Sequence, residues 1–429
     1  MTNLRMPGDK SISHRALILA SLAVGPCRLS GLSDSRDAGA TLAALRALGT
    51  EVAPTGGGKV LVQAPSRWSR RPVELDCGNS GTAARLLAGL LTGLGAPAVL
   101  RGDASLERRP MDRVVYPLQS MGGRIEYLAR RDRLPVRIEA RTSGSLRVLR
   151  YRGRVASAQV KSSLLLAGLA GGTEVEVREP CQSRDHTERM LRGLGAPVSF
   201  GELEDGSARA ALSADVAMWQ VPAFDFAVPG DVSSAAFMLA AGLLSGRPVR
   251  IEGVALNPTR TAFLDVLREM GAQISTEPTA EQLGEPVGNL ELSPGPLTGF
   301  AIDSTRAAAV IDEIPVLSVL AAQAEGTSRI TGAVELRYKE SDRISAVVSN
   351  LRAIGVEAEE SPDGLQVLGA RGPLSGSVRS GGDHRIAMAF AVLGCVPGSA
   401  IAVDDLDCVA VSYPGFPADL VRIAPQVGE

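Results

Sequence analysis

Lysine is nearly missing from this chain. Of its 45 basic residues only Lys10, Lys59, Lys161 and Lys339 are lysines, and the remaining 41 are arginines. An ammonium is a compact charge whose pKa can be moved, whereas a guanidinium is a permanent planar cation. A lysine that survives so strong a bias therefore marks chemistry that arginine cannot supply. Three of the four stand in dense polar clusters, GDKSISHR (8–15), SAQVKSS (157–163) and YKESDR (338–343). The three histidines keep similar company, in SISHR, SRDHTE and GGDHR. The pattern points to an enzyme that handles anions.

Other shortages exclude whole classes. Aromatic residues make up 3% of the chain, too few for the base-stacking platforms that bind single-stranded nucleic acid. A net charge of −2 gives no electrostatic footprint for DNA or RNA, so any cationic site must be local and inside a cleft. The five cysteines (27, 77, 181, 395, 408) are odd in number and lack paired zinc-like spacing, which argues against a disulfide framework or a metal site. The opening MTNLRMPGDK has no apolar signal core, and the longest apolar runs are broken by Gly or Ser below membrane-spanning length. The expectation is a soluble cytoplasmic protein, without nucleic-acid or membrane partners. With 429 residues, 45% of them hydrophobic, the chain is too long for one ordinary core, so two large domains are expected.

What is present is repetition. LRALG (45–49), LQSMG (118–122), LRGLG (191–195), LREMG (267–271) and LRAIG (351–355) each read as the last turn of an amphipathic helix stopped by a left-handed glycine. Between them a second theme occurs six times: a polar opening, an Ala/Leu-rich helix, a Gly-containing turn and a short β-branched strand. GNSGTAARLLAGLLTGLGAPAVLRG (78–102), SAQVKSSLLLAGLAGGTEVEVRE (157–179) and PGDVSSAAFMLAAGLLSGRPVRIEG (229–253) show it in full; the others open at GDKSISHR, DEIPVLSV and GGDHRIAMAF. Helices apolar all round are buried ones, and the LRxLG helices form the outer set. The alternation predicts a βαβαββ-like unit repeated six times, grouped three per domain, with QVPAFDFAVPGD (220–231) as the hinge candidate. Each polar opening puts free backbone N–H groups and a positive dipole end at the start of a buried helix, a ready anion site. Cations stand within these openings: Lys10, Arg15, Arg85, Lys161 and Arg385.

At GDKSISHR, GNSGTAAR, ERRPM, SAQVKSS, SRDHTE, DEIP, YKESDR and GGDHRIAM the chain resembles the 5-enolpyruvylshikimate-3-phosphate synthase family, over essentially its whole length. The resemblance implies an α/β (α+β) fold: a two-domain inside-out α/β barrel of six βαβαββ repeats that closes over its substrates. It implies one domain of residues 12–225 and another of 1–11 with 226–429. It implies transfer of the enolpyruvyl group of phosphoenolpyruvate to the 5-hydroxyl of shikimate 3-phosphate, with release of phosphate, by addition and elimination. The family works as a monomer in the shikimate pathway to aromatic amino acids, without cofactor or metal, and is the target of glyphosate.

Carried over residue by residue, the resemblance assigns Lys10, Ser11, Arg15, Ser157, Gln159, Ser183 and Arg184 to shikimate 3-phosphate, together with Asp312 and Lys339. It assigns Lys10, Asn79, Gly81, Arg109, Gln159, Arg343, His384 and Arg385 to phosphoenolpyruvate, glycine letting the ligand approach the backbone. Asp312 is expected to accept the hydroxyl proton and Glu340 to carry the proton at the methylene carbon, with Lys10 and Lys339 assisting. A surface ion pair between Glu340 and Arg343, three residues apart, is the plainer alternative. His14, His186 and Lys161 stay without a fixed role. The stretch CVAVSYPGFP (408–417) lacks the lysine that many members place there, and position 158 is Ala where some have Ser. Two rival readings stay open: a UDP-N-acetylglucosamine enolpyruvyl transferase, which shares the fold and donor, and a non-catalytic scaffold binding phosphorylated metabolites.

Overall fold

The two helical themes differ in burial as their sequences require. The computed structural model describes residues 1–141 and 144–428. The chain divides into two compact units, the first comprising Gly8–Val228 and Glu281–Glu285, the second Met1–Pro7, Pro229–Ala280 and Pro286–Glu429. In the first unit, α1 (Lys10–Ala20), α3 (Gly81–Leu94) and α5 (Ala158–Gly171) alternate with α2 (Arg36–Ala47), α4 (Asp112–Ser120) and α6 (His186–Gly193). In the second, α7 (Val232–Ser245), α8 (Ala262–Glu269), α9 (Ser304–Val310), α10 (Ile314–Ala321), α11 (Arg343–Ala353), α12 (His384–Leu393) and α13 (Phe416–Ile423) follow in order.

The helices that start at the six polar openings are α1, α3, α5, α7, α10 and α12. All ten residues of α12 and all eight of α10 are buried, as are all but the last of α7. Their small residues let backbones touch. A Cβ on Gly89 of α3 would lie 2.0 Å from the Ser163 carbonyl oxygen of α5, and one on Gly93 would lie 2.6 Å from that of Ala167. The five LRxLG phrases end α2, α4, α6, α8 and α11, and Gly49, Gly122, Gly195, Gly271 and Gly355 all have positive φ, where a side chain would be strained.

Each repeat builds one small sheet. Val73–Asp76 pairs parallel with Ala98–Arg101, which pairs antiparallel with Val136–Ile138, and Ile125–Tyr127 completes the edge. Four other sheets follow the same order. The sixth repeat is shortened: among the described residues it holds only Ser375–Val378 paired parallel with Ala400–Val403.

Beside the short excursion of Glu281–Glu285, the chain changes unit at two places, each explained by an exchanged strand. Thr2–Arg5 pairs with Val249–Ala255 in the second unit, and Asp225–Ala227 pairs with Cys27–Ser30 in the first. The changes fall after Pro7 and after Val228, slightly displaced from the residues 11 and 225 expected from sequence. At the first, Asp9 caps α1 by accepting from the Ile12 N–H, and a Cβ on Gly8 would collide with the Gly31 backbone, so residues 8–11 go with their helix. At the second, pairing of Asp225–Ala227 to Cys27 onward carries the first unit past residue 225.

No helix among the described residues is long and apolar enough to cross a membrane. No group of three or more His, Cys, Asp or Glu among them is arranged to hold a metal ion.

Candidate active site

Three helix starts of the first unit carry a cationic cluster. Lys10 is the first residue of α1, and its ammonium lies 2.9 Å from the Asp37 carboxylate. One turn on, Arg15 is buried, donating Nε to Thr187 Oγ1 and Nη2 to Ser162 Oγ, each at 2.7 Å, and Nη1 to the Ser11 carbonyl at 2.8 Å. Burial lowers its pKa to about 10 against the pull of Glu188, Asp9 and Glu285. At α3, Ser80 caps the helix and Gly81 is its first residue. Arg109 Nη2 donates to Asn79 Oδ1 at 2.5 Å, and Asn79 Nδ2 donates to Asp103 at 2.7 Å. Arg85 Nη1 donates to Gln159 Oε1 at 2.7 Å while Gln159 Nε2 reaches Thr82 Oγ1 at 3.0 Å, tying the start of α5 to that of α3. Ser157 caps α5, and Ser183 donates to Glu179 at 2.6 Å.

The second unit gathers carboxylates instead. Asp312 Oδ1 accepts from Lys339 Nζ at 3.2 Å and from Arg343 Nη1 at 3.4 Å, and Arg385 Nη1 donates to the Asp312 carbonyl at 2.7 Å. Arg343, 1% exposed, also donates Nη2 to Glu340 at 2.6 Å and grips Asp383 through Nε at 2.8 Å and Nη2 at 3.2 Å. One guanidinium thus serves three carboxylates. Burial works to raise the Asp383 pKa, but Arg343 overcomes it and holds the group below the usual carboxylate range. Burial likewise works to lower Arg343, and Asp383 and Glu340 reverse it. Asp383 caps α12 by accepting from the Arg385 N–H at 3.0 Å, and His384 is buried at the start of that helix.

The chain matches the EPSP synthase family (3-phosphoshikimate 1-carboxyvinyltransferase) over residues 2–420. It is 47% identical to a 3-phosphoshikimate 1-carboxyvinyltransferase of Thermus thermophilus, covering 98% of this chain and 96% of that one. Against the Citrifermentans bemidjiense protein of the same name, identity is 42%, over 96% and 94% of the two chains. The chain belongs to the EPSP synthase family. EPSP synthase from Acinetobacter baumannii superposes with a TM-score of 0.82 at 36% identity, covering 98% of this chain and 95% of that one. The enolpyruvyl transferase NikO from Streptomyces tendae shares the fold, with a TM-score of 0.74 at 18% identity. As a member of the EPSP synthase family the chain is a transferase with the two-domain inside-out α/β fold, and the family's substrates are phosphoenolpyruvate and shikimate 3-phosphate.

The residues named from sequence fall into these two clusters. Lys10, Ser11, Arg15, Asn79, Gly81, Arg109, Ser157, Gln159, Ser183 and Arg184 belong to the first unit, and Asp312, Lys339, Glu340, Arg343, His384 and Arg385 to the second. Glu340 and Arg343 do form the three-apart ion pair raised as the plainer alternative, but within a buried network rather than on a helix surface. His14 donates to or accepts from Thr41 Oγ1 at 2.6 Å, and His186 pairs with Glu285 at 2.7 Å, both fully buried. Burial, with Lys10 and Arg15 close by, lowers the His14 pKa well below the usual histidine value.

The stretch without its expected lysine builds core. Tyr413 is buried with its hydroxyl donated to Asp419 at 2.6 Å, and Phe416 packs edge-on against Phe237 and Tyr413. Sequence reading gave no role to Asp37, Glu179, Glu313 or Asp383, and left Arg85 as an opening cation only. An Asp or Glu that partners a distant cation carries no local signal, because its partner is set by tertiary packing.

Proposed function

We propose that this chain carries out the family's enolpyruvyl transfer with cations of its first unit as the anion holders and carboxylates of its second unit as the proton carriers. The observation that carries the assignment is Asp312, contacted by Lys339, Arg343 and Arg385 together. Three cations orient one carboxylate, and none of them can take a proton from it in the reaction. In the addition step the 5-hydroxyl oxygen of shikimate 3-phosphate bonds to C2 of phosphoenolpyruvate. Asp312 accepts the hydroxyl proton, and Glu340 delivers a proton to the C3 methylene, giving a tetrahedral adduct. In the elimination step C3 returns a proton to Glu340 as the C2–O bond to phosphate breaks, and phosphate leaves with the proton that Asp312 had accepted, which resets both acids.

Lys10, Asn79, Gly81, Arg109 and Gln159 face the phosphoenolpyruvate anion in this reading, with Arg343, His384 and Arg385 contributing. Ser11, Arg15, Ser157, Ser183, Arg184 and Lys339 hold shikimate 3-phosphate. Planar guanidinium forks suit carboxylate and phosphate, and helix N-termini add backbone N–H donors. The five cysteines among the described residues are free, in keeping with a reducing cytoplasm, and we read the working form as a monomer.

Phosphate release from phosphoenolpyruvate, with shikimate 3-phosphate and UDP-N-acetylglucosamine as competing acceptors, tests the assignment. Release driven by shikimate 3-phosphate alone is expected; release driven by the nucleotide sugar, or none, overturns it. Light scattering of the purified protein checks the monomer.

A further inference from the structure

Lys161 is a cation at a polar opening that touches no outer surface. It is 2% exposed, and its ammonium lies 2.9 Å from Glu179 Oε2 and 2.9 Å from Glu188 Oε1, both carboxylates buried as deeply. Glu179 ends the strand Val175–Glu179 and is fully engaged. Its Oε1 accepts the Ser157 backbone N–H at 2.6 Å, and its Oε2 accepts the Ser183 hydroxyl at 2.6 Å. One carboxylate therefore holds two of the residues assigned above to shikimate 3-phosphate, Ser183 by its hydroxyl and Ser157, the cap of α5, by its backbone N–H.

We propose that Glu179, clamped by Lys161, is a positioning residue that sets Ser157 and Ser183 for the phosphorylated acceptor. This rests on the functional reading above. The Ser183 hydroxyl has one hydrogen, and Glu179 holds it. An arriving phosphate oxygen competes with Glu179 for that hydrogen. Lys161 decides how costly the exchange is: with the ammonium and the Ser157 N–H still in place, Glu179 keeps two donors when the hydroxyl turns away. Without Lys161 the carboxylate would keep the hydroxyl and repel the phosphate. Glu188 draws on Lys161 and acts electrostatically on Arg15, so two cations and two carboxylates balance beneath the opening. Lys161 is thus a support for the acceptor site rather than a ligand contact.

Glu179→Asp keeps the charge but withdraws the carboxylate by one methylene, so the fold should survive. We expect KM for shikimate 3-phosphate to rise about tenfold, with KM for phosphoenolpyruvate and kcat changed less than about twofold, the pattern of lost acceptor binding. Ser183→Ala should raise the same KM, and the double variant should be no worse than about twofold beyond the larger single, because contacting residues couple. Lys161→Met should show the same acceptor-specific rise. Equal rises for both substrates, no rise in Glu179→Asp, or full additivity with Ser183→Ala would overturn the proposal. Absence of turnover with shikimate 3-phosphate in the unsubstituted protein would instead sink the functional reading on which it rests.

Discussion

The two units treat charge in opposite ways. Around the starts of α1, α3 and α5 the first unit sets Lys10, Arg15, Arg85 and Arg109, the arginines held by hydroxyl and amide groups of Thr187, Ser162, Gln159 and Asn79. Around the starts of α10, α11 and α12 the second unit sets Asp312, Glu313, Glu340 and Asp383 against Lys339, Arg343 and Arg385. Such bonds fix the planar forks in orientation, so the first arrangement suits holding anions. Carboxylates pinned by cations have defined orientation and can exchange protons at fixed points, so the second suits proton transfer. Similar helices start both clusters; the side chains at their openings differ.

Removing the proposed base would break that division most sharply. Asp312→Asn keeps the shape and the contacts available to Lys339, so substrate binding should survive while turnover falls roughly a hundred- to ten-thousandfold. Glu340→Gln should in addition slow deuterium entry from solvent into the methylene carbon, followed by NMR. Full turnover in the first, or exchange at the unsubstituted rate in the second, would reduce these acids to structural partners of Arg343.

Arg343→Gln tests the second cluster through stability. Breaking a buried pair on one side costs about 3–5 kcal/mol, because the carboxylates stay buried without their partner. Since Arg343 holds the Asp383 pKa below its ordinary 3.8, this stabilisation is present above that value and fades as pH falls through the lower folded value. Thermal unfolding should therefore show a gap between variant and parent that narrows below pH 3.8. A gap that stays constant into acid would show that Asp383 is not the group involved.

Lys10→Arg probes the first cluster. A planar fork replaces a point charge set 2.9 Å from Asp37, and activity should fall on the order of a hundredfold with normal folding. Turnover near that of the parent would remove Lys10 from the site.

Gly81→Ala should have the smallest effect. The added methyl would meet Arg85 Nη1 at 2.6 Å and Arg109 Nη1 at 3.5 Å, the ends of flexible side chains, so the fold should tolerate it. Displacing Arg85 loosens its bond to Gln159, and phosphoenolpyruvate KM should rise about two- to tenfold. Glyphosate inhibition should weaken more than that; equal losses in steady-state assays would place Gly81 away from the bound anion.

Much of this organisation was legible in the chain before any coordinates. The helix periods, the glycine stops of the LRxLG phrases and the polar openings before apolar helices are local signals, since φ preference, capping and burial of an all-apolar helix act over a few residues. The shortened sixth repeat left only the absence of a sixth LRxLG phrase after GGDHRIAMAF, and the loss of its hairpin showed only in the fold.

The scarcity of lysine drew attention to Lys10, Lys161 and Lys339, and the motifs around them carried the resemblance to the family. Sequence could not say that Lys10 and Lys339 each meet an aspartate while Lys161 is sealed between two glutamates. Nor could it say that Arg343 would be shared among Asp312, Glu340 and Asp383. Except for Glu340, three residues before Arg343, those partners lie well apart along the chain, and their charges interact only at contact distance. How deeply each lysine is buried and which carboxylates it meets was therefore decided by the packing of helices against one another.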